Sequence, residues 1–517
     1  MKGVKPTFED IKSYLIPKCE EYYSDLHNTA FAKDEQFYEL DFASLLNIPD
    51  QFRNEVIVLP TARDMIDAFV DHIDVSNARI AVNKKGVFKT SNAEAETMRK
   101  FYHGANYMVN LNPDIIPARV GAKHYALHGV TVFKTIWNAD LWPDKPLRKE
   151  GQSEDDYQAK LVKWTEEAED VFPLSVQAIN PRNIMADPSY GPRGFVIERR
   201  KILVFNAYKK WPHWKNVNGF DVGEEVTYDS YWDDTYRCDM VDGQPILKIK
   251  GGVGKHGYGF IPYVFIDSGL GNQSFESKPE MRYVGMLRYM FDPLIAESKV
   301  FSIADVILGR EAWGGGYRTG PNAEGVGRIE KKFGEYPFVP EGVEFKEWGR
   351  DLPPAMLNEH MARAADYIAA HAAPRSVRGL SESGVRSGAD RRAIIAEAST
   401  RYQYSKDAFR HGWARVLINL AKIYKNVVPA NTRMWAMTPA DEDIDEIIDR
   451  DKMKEPFTCY VEFSPISEED EYRRHDDLER LVSAGIVTRD WARRQMSNVD
   501  AVAMAKEEEK ERLRMSP

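Results

Sequence analysis

At 517 residues the chain is longer than one hydrophobic core sustains, so two or more domains are expected. Apolar residues make up 43% and charged residues 29%, an ordinary globular balance, and no apolar run approaches the roughly 18 residues that cross a bilayer. The formal net charge of −10 argues against a protein that grips DNA over its whole surface, but not against one that touches DNA locally.

The opening "MKGVKPTFEDIK" has no apolar stretch of the kind a signal peptide needs, so none is expected. Cys19, Cys238 and Cys459 are odd in number and far apart, which disfavours a disulfide framework or a structural zinc site and suits a reducing cytoplasm. "TARDMIDAFVDHI" (61–73) sets Met65, Ile66, Phe69 and Ile73 at helical spacing, and "RIAVNKKGVFKTS" (79–91) reads as a hairpin around Lys84-Lys85-Gly86. A helical pattern runs from about Glu94 to Leu127 with a break at Asn112-Pro113, and Gly129 ends it. "VTVFKTIW" (130–137) has the β-branched and aromatic content of a strand. Residues 138–172 read as an inserted surface element whose helix starts at an N-cap, Ser153, with acids in its first turn.

From 173 to 280 the pattern turns to β: "FVIERRKILVF", "VTYDSYW", "PILKIK" and "FIPYVFI" are strand-like runs separated by glycine, aspartate and asparagine. The apolar helical stretch 282–308 carries Pro293, which should kink or restart it. Residues 309–348 are rich in glycine and proline and have room only for short strands such as "GRIEKKF" and "VEFKEW". A helix follows over about 353–373, with Asp351 as N-cap, prolines in the first turn and Pro374 as stop. "PRSVRGLSESGVRSGADRR" (374–392) is a loop of arginine, glycine and serine. Beyond it the longest helical pattern runs from Ala389 to Val427, which unbroken would measure about 58 Å, with Gly412 as a point of bending. A strand, "FTCYVEF" (457–463), precedes a charged helical end.

Three stretches imitate catalytic or metal-binding motifs and fail on key positions. In "GGVGKHGYG" (251–259) the phosphate-loop pattern would need glycine where Ile249 stands and serine or threonine where His256 stands. "HYALH" places His124 and His128 one turn apart, but the zinc-protease glutamate is replaced by Tyr125. "DEDIDEIIDRDK" (441–452) begins like a calcium loop and then has Glu446 for glycine and Lys452 for glutamate; a helix start after Pro439 accounts for its acids. No Ser/His/Asp or Cys/His set is recognisable, so no enzyme, cofactor or metal is expected.

The order of the parts resembles the portal (head-to-tail connector) proteins of tailed bacteriophages. Four phrases carry the resemblance: "INPRNIMADPSYGPRGFVIERRKI" (179–202), "GYGFIPYVFI" (257–266), "SGADRRAIIAEA" (387–398) and "SAGIVTRDWARRQM" (483–496). It covers about residues 100 to 500, without the first 90 residues or the insertion at 138–172. It implies an α+β fold with long stem and wing helices, a β-rich wing, a small clip subdomain and a helical C-terminal crown. By position, 1–280 would be wing, 281–308 the first stem helix, 309–349 the clip and 350–373 the second stem helix. Residues 374–388 would be the tunnel loop, 389–465 the long wing helix with a returning strand, and 466–517 the crown. Such subunits form a ring, usually dodecameric, at one capsid vertex of the virion, and assemble in the host cytoplasm. Implied partners are double-stranded DNA without sequence preference, the terminase packaging motor, a head-completion adaptor or neck protein, and the major capsid and scaffolding proteins. No membrane is implied. Clip docking would fall to Trp313, Tyr317, Arg318, Arg328, Lys331 and Lys332.

Between Pro374 and Arg410 eight basic residues face four acids, a local excess of four positive charges on a negative chain. Within a ring, Arg375, Arg378, Arg386, Arg391 and Arg392 would face DNA phosphates, which carry no sequence information, while the acidic body keeps the polymer mobile. Gly379, Gly384 and Gly388 would let the loop adapt to a duplex whose symmetry does not match the ring. The same arginines also fit a solvated loop that pairs with local acids. Two other classes stay open on the sequence: a nucleic-acid enzyme (packaging ATPase or nuclease), and a minor capsid or scaffolding protein without a channel.

Overall fold

In the computed structural model of the chain, the described residues are 5–48, 56–73, 79–82, 92–111, 115–138, 141–148, 152–274, 277–313, 316–319, 341, 344–347, 359, 361–363, 403–437, 443–455, 457–462, 476, 478–486, 488 and 492. Two compact units divide the chain: Met1–Phe31, Val70–Gly285 and Tyr402–Pro517 make the first, Ala32–Phe69 and Met286–Arg401 the second. The principal helices, in chain order, are α1 (Ile16–Asp25), α2 (Phe31–Tyr38), α3 (Thr61–His72), α4 (Asn92–Asn110), α5 (Pro117–His128), α6 (Glu154–Glu169), α7 (Val204–Lys210), α8 (Phe291–Trp313) and α9 (Gln403–Asn426). The strands are β1 (Arg79–Ala81), β2 (Val130–Trp137), β3 (Leu174–Ile179), β4 (Ile184–Asp187), β5 (Gly191–Leu203), β6 (Glu225–Trp232), β7 (Tyr236–Val241), β8 (Gln244–Pro245), β9 (Gly254–Lys255), β10 (Tyr263–Asp267), β11 (Gly316–Thr319), β12 (Glu344–Glu347), β13 (Thr432–Met437), β14 (Asp443–Ile448) and β15 (Tyr460–Glu462). This is a mixed α+β fold.

The two larger antiparallel sheets of the first unit are β10-β2-β3 and β4-β5-β6-β7-β8, with β9 also on β7. The break expected near Asn112 separates α4 from α5, and Gly129 ends α5 in the left-handed region at φ 73°. Glycine is required there: a Cβ on Gly129 would lie 2.1 Å from the Val284 carbonyl oxygen, and one on Gly285 would lie 1.8 Å from that of Leu127. The helix end and the 284–285 strand of chain are therefore packed backbone to backbone. Against β2 and β10 lies α9, whose Phe409 and Trp413 are fully buried and meet Phe133 edge-on at 6.2 and 5.0 Å. Gly412 sits within continuous helix and makes room for Ile266, whose Cδ1 would be 2.2 Å from an added Cβ.

Charge is buried where the two sheets meet. Lys134 on β2 and Glu198 on β5 pair at 2.6 Å, with side chains only 9% and 4% exposed. The Tyr263 hydroxyl of β10 donates to the same carboxylate oxygen at 2.8 Å, and the Lys134 ammonium lies 5.6 Å from the Trp232 ring. Burial pushes the Glu198 carboxyl up, but Lys134, Tyr263 and Arg200 together hold it below its ordinary range. Such a pair adds little net stability over apolar residues of similar volume, although removing one partner is costly.

Several local expectations are met and others corrected. Ser153 caps α6 by accepting from the Asp156 amide, and the helix turns Trp164 and Ala168 inward. "PILKIK" is not a strand beyond Pro245: the chain turns through 247–252, with Gly251 and Gly252 at positive φ. The acidic run after Pro439 is not a helix start, because Asp443–Ile448 pairs antiparallel with β13. Ile444, Ile447 and Ile448 suit a helix face equally well, but the strand buries Ile444 and Ile448 and exposes Ile447. β1, one arm of the expected hairpin, pairs with β15, "YVE" of the expected strand near the C-terminus; residues 83–91 lie outside the described residues.

In the second unit, Phe37 stacks between Phe42 and Phe291 at 4.5 and 4.2 Å, and buried Asp34 takes Arg288 through two hydrogen bonds at 3.0 and 2.6 Å. The extended stretch 56–59 runs along α8: the amides of Ile57 and Leu59 donate to the hydroxyls of Ser302 and Ser298, one helical turn apart. The Ser302 hydroxyl donates in turn to the Ile57 and Ser298 carbonyls. Serines inside an apolar helix thus hydrogen-bond to an extended backbone that has no sheet partner among the described residues.

Candidate nucleic-acid and docking surfaces

The 282–308 stretch resolves into a one-turn helix (Pro279–Arg282), a turn at 286–290, and α8. Pro293 falls in the first turn of α8, where its missing N–H leaves no bond unmade, so it restarts the helix. After α8 the chain enters the antiparallel pair β11–β12, in which Tyr317 stands opposite Lys346 and Arg318 opposite Phe345. Trp313 is the last residue of α8, and Tyr317 and Arg318 lie on β11. Arg328, Lys331 and Lys332 lie outside the described residues, as does "GRIEKKF", whereas "VEFKEW" contains β12. Helical backbone is described again at 359 and 361–363, within the returning helix expected over 353–373.

Arg375, Arg378, Arg386, Arg391 and Arg392 lie outside the described residues, and so does the whole loop 374–388. The described part of the long helix begins at Gln403, and its foot is fixed from three sides. The Tyr125 hydroxyl donates to the Ser405 carbonyl at 2.9 Å, and the Ser405 hydroxyl donates to the Ser268 carbonyl at 3.3 Å. The Tyr404 ring covers Gly269, where a Cβ would lie 2.2 Å from a ring carbon. Gly269 is at φ 72°, so both the turn and the ring above it call for glycine.

Two of the eight basic residues between Pro374 and Arg410 are described. Arg410 forms an ion pair with Asp407 and stands 5.8 Å over the Tyr460 ring, so its charge is used within the fold. Lys406 is half-buried, and burial followed by the nearby Arg410 pushes its ammonium below the usual lysine range. Among the described residues no group of three or more His, Cys, Asp or Glu could hold a metal ion, and no helix is long and apolar enough to cross a membrane. His124 and His128 lie on α5, with His128 buried 4.4 Å from the Phe31 ring. Sequence reasoning missed the brace on α8 from residues 56–59; the i, i+4 serines in an otherwise apolar helix were the signal that could have found it.

No family model and no curated protein matches the chain. Among solved structures it is similar to a chain in the virion of a native gene transfer agent particle, 10% identical over 88% of this chain and 93% of that one, with a TM-score of 0.40. It is also similar to a chain in the neck of the empty gene transfer agent particle with C6 symmetry, at the same identity and coverage and a TM-score of 0.43. A third is in the neck of the native particle with C12 symmetry: 10% identity, 85% of this chain, 90% of that one, TM-score 0.41.

Proposed function

We propose that the chain is the subunit of a portal ring at one vertex of a phage-like capsid. Copies of it, twelve in the family it resembles, surround a channel for double-stranded DNA during packaging and ejection. The single observation that supports this reading is the chain order of α8, the antiparallel pair β11–β12, helical backbone at 359 and 361–363 and then the long helix α9, the order expected of stem, clip, stem and wing helix in the family the sequence resembles. The fixed foot of α9 supports it, because it gives the basic segment before Gln403 a rigid base from which to reach a polymer. In this reading Arg375, Arg378 and Arg386 touch phosphates, with Arg391 and Arg392 at the entry of the long helix. Trp313, Tyr317, Arg318, Arg328, Lys331 and Lys332 present the clip to the terminase motor and later to an adaptor or neck protein. Major capsid and scaffolding proteins surround the ring. The protein carries out no chemistry of its own; the motor's ATPase supplies the work.

Electron micrographs of the purified chain viewed down a ring axis test the assembly, and an R375E/R378E/R386E variant tests the channel. Rings in the first, with particles that assemble but package or retain DNA poorly in the second, are the expected results. A monomer at every concentration refutes the ring. Unimpaired packaging by the variant refutes the role of the loop.

A further inference from the structure

Two uncommitted surfaces of opposite charge lie in the first unit. One is built on α7 and the chain that follows it. The Val204 and Phe205 amides donate to the Glu224 and Val222 carbonyls, which brings Phe205 beside Val222, each 56% exposed. Tyr208, one turn further along α7, is exposed as well and packs its ring 5.2 Å from that of buried Trp214. Lys209, Lys210 and Lys215 border these side chains in sequence, all exposed, and none makes an ion pair with a described residue. From Lys201 to Glu225 the sequence has four lysines and three acids; Lys201 pairs with Glu225 and exposed Asp221 and Glu224 flank Val222, so the excess of positive charge lies at Lys209, Lys210 and Lys215. An apolar and aromatic centre with lysines along its α7 side suits docking of an acidic partner on that side.

The second surface is the outer face of α6. Its inner stripe is held down by Trp164, whose indole N–H donates to the Pro143 carbonyl at 2.9 Å, and the helix packs near β13, with Asp170 3.6 Å from Arg433. The outer stripe, at i, i+4 and i+3 spacing, carries Asp155, Ala159, Val162 and Glu166, all exposed, with Val162 at 57%. Asp155, Asp156 and Glu166 make no ion pair with a described residue. From Glu154 to Asp170 seven acids face two lysines.

We infer that the outer face of α6 in one copy docks on the α7 patch of the next, so that the insertion at 138–172 is a subunit-to-subunit clasp. Both surfaces belong to one compact unit, so every copy carries both, and contact between unlike patches is the head-to-tail kind that closes into rings. The acids of α6 and the lysines of α7 are opposite in sign, and apolar side chains (Val162 on one side, Phe205 and Val222 on the other) lie within each surface. Complementary charge sets orientation and on-rate, while the apolar centre supplies the area that must leave water. The inference rests on the ring reading above and assigns to it one of its interfaces.

Charge exchange tests it on the full chain. K209E/K210E and D155K/E166K replace exposed side chains only, and although Asp155, Lys209 and Lys210 suit their helix ends, thermal melts should fall by no more than a few degrees. Each should raise the concentration needed for half-maximal ring formation at least tenfold, by native mass spectrometry or sedimentation at low salt. Combining all four substitutions in one chain restores opposite signs and should bring rings back to near the wild-type concentration. Single variants that assemble like wild type overturn the clasp and leave the ring reading standing, as does loss in both without recovery in the combined chain. A wild-type chain that forms no rings overturns the ring reading, and the clasp with it.

Discussion

Removing the ammonium from the buried pair in the first unit, Lys134→Met, should be among the most damaging single changes in that unit. The Glu198 carboxylate would keep the Tyr263 hydroxyl at 2.8 Å and Arg200 at 4.0 Å but lose its close cation at 2.6 Å. Breaking one side of a buried pair costs about 3–5 kcal/mol, and the two surviving partners place this case near the lower end, about 3 kcal/mol at pH 7. The cost has a pH signature. In the wild type the Glu198 pKa is held below that of the unfolded chain, so its contribution is full at neutral pH and is lost only as pH falls through the folded-state value. In the variant, burial dominates and raises the folded-state pKa, so the penalty is largest at neutral pH and fades as the carboxyl takes up a proton. Urea unfolding followed by tryptophan fluorescence is a direct assay, since Trp232 lies against the ammonium. The deficit should shrink by about 1 kcal/mol or more between pH 7 and 5. K134M/E198Q, which removes both charges and keeps an acceptor for Tyr263, should recover most of it. A single variant within 1 kcal/mol of wild type, or a deficit unchanged at pH 5, refutes the reasoning.

Two further predictions probe the same unit. Gly129→Ala places a side chain at φ 73° and 2.1 Å from the Val284 carbonyl oxygen, and should lower stability by more than about 2 kcal/mol. Gly191→Ala, also at positive φ but with nothing within 4 Å, should cost only about 1 kcal/mol; equal losses would refute the close-approach argument. Burial, then Arg182 and His128, lower the His27 pKa to about 4 from an unfolded value near 6.5. The folded state therefore resists the proton that the unfolded chain takes up, and stability should fall by about 3 kcal/mol as pH drops from 6.5 to 4. His27→Phe should flatten that part of the curve at a cost of about 1 kcal/mol at pH 7; an unchanged slope would show that other groups govern it.

What could be read locally was read correctly where one signal dominated. The Ser153 cap, the glycine stop at 129, the β-branched run at 130–137 and the proline restart at 293 each depend on chemistry within a few residues. Where two periodicities competed, the neighbouring chain decided. Ile444, Ile447 and Ile448 satisfy a helix as well as a strand, and only the six-residue pairing with β13 selected the strand. β1 and β15 lie nearly four hundred residues apart, and nothing in either sequence names the other. The arginine loop is plain in the sequence as composition alone; of the cations that follow it on the long helix, Arg410 is held by Asp407 in the fold and Lys406 is half-buried.

By itself the sequence determined where several helices are capped, stopped or restarted, that the turn at 129 needs glycine, where charge collects and which catalytic patterns are missing, because each of these is settled by a residue and its near neighbours. Only the tertiary structure decided that Lys134 meets Glu198, that the Ser298 and Ser302 hydroxyls take the amides of residues 57 and 59, and that α7 and α6 leave opposite charges uncovered. Those outcomes depend on what remains unpaired once the chain has packed, and a linear pattern carries no record of which distant group will supply the missing partner.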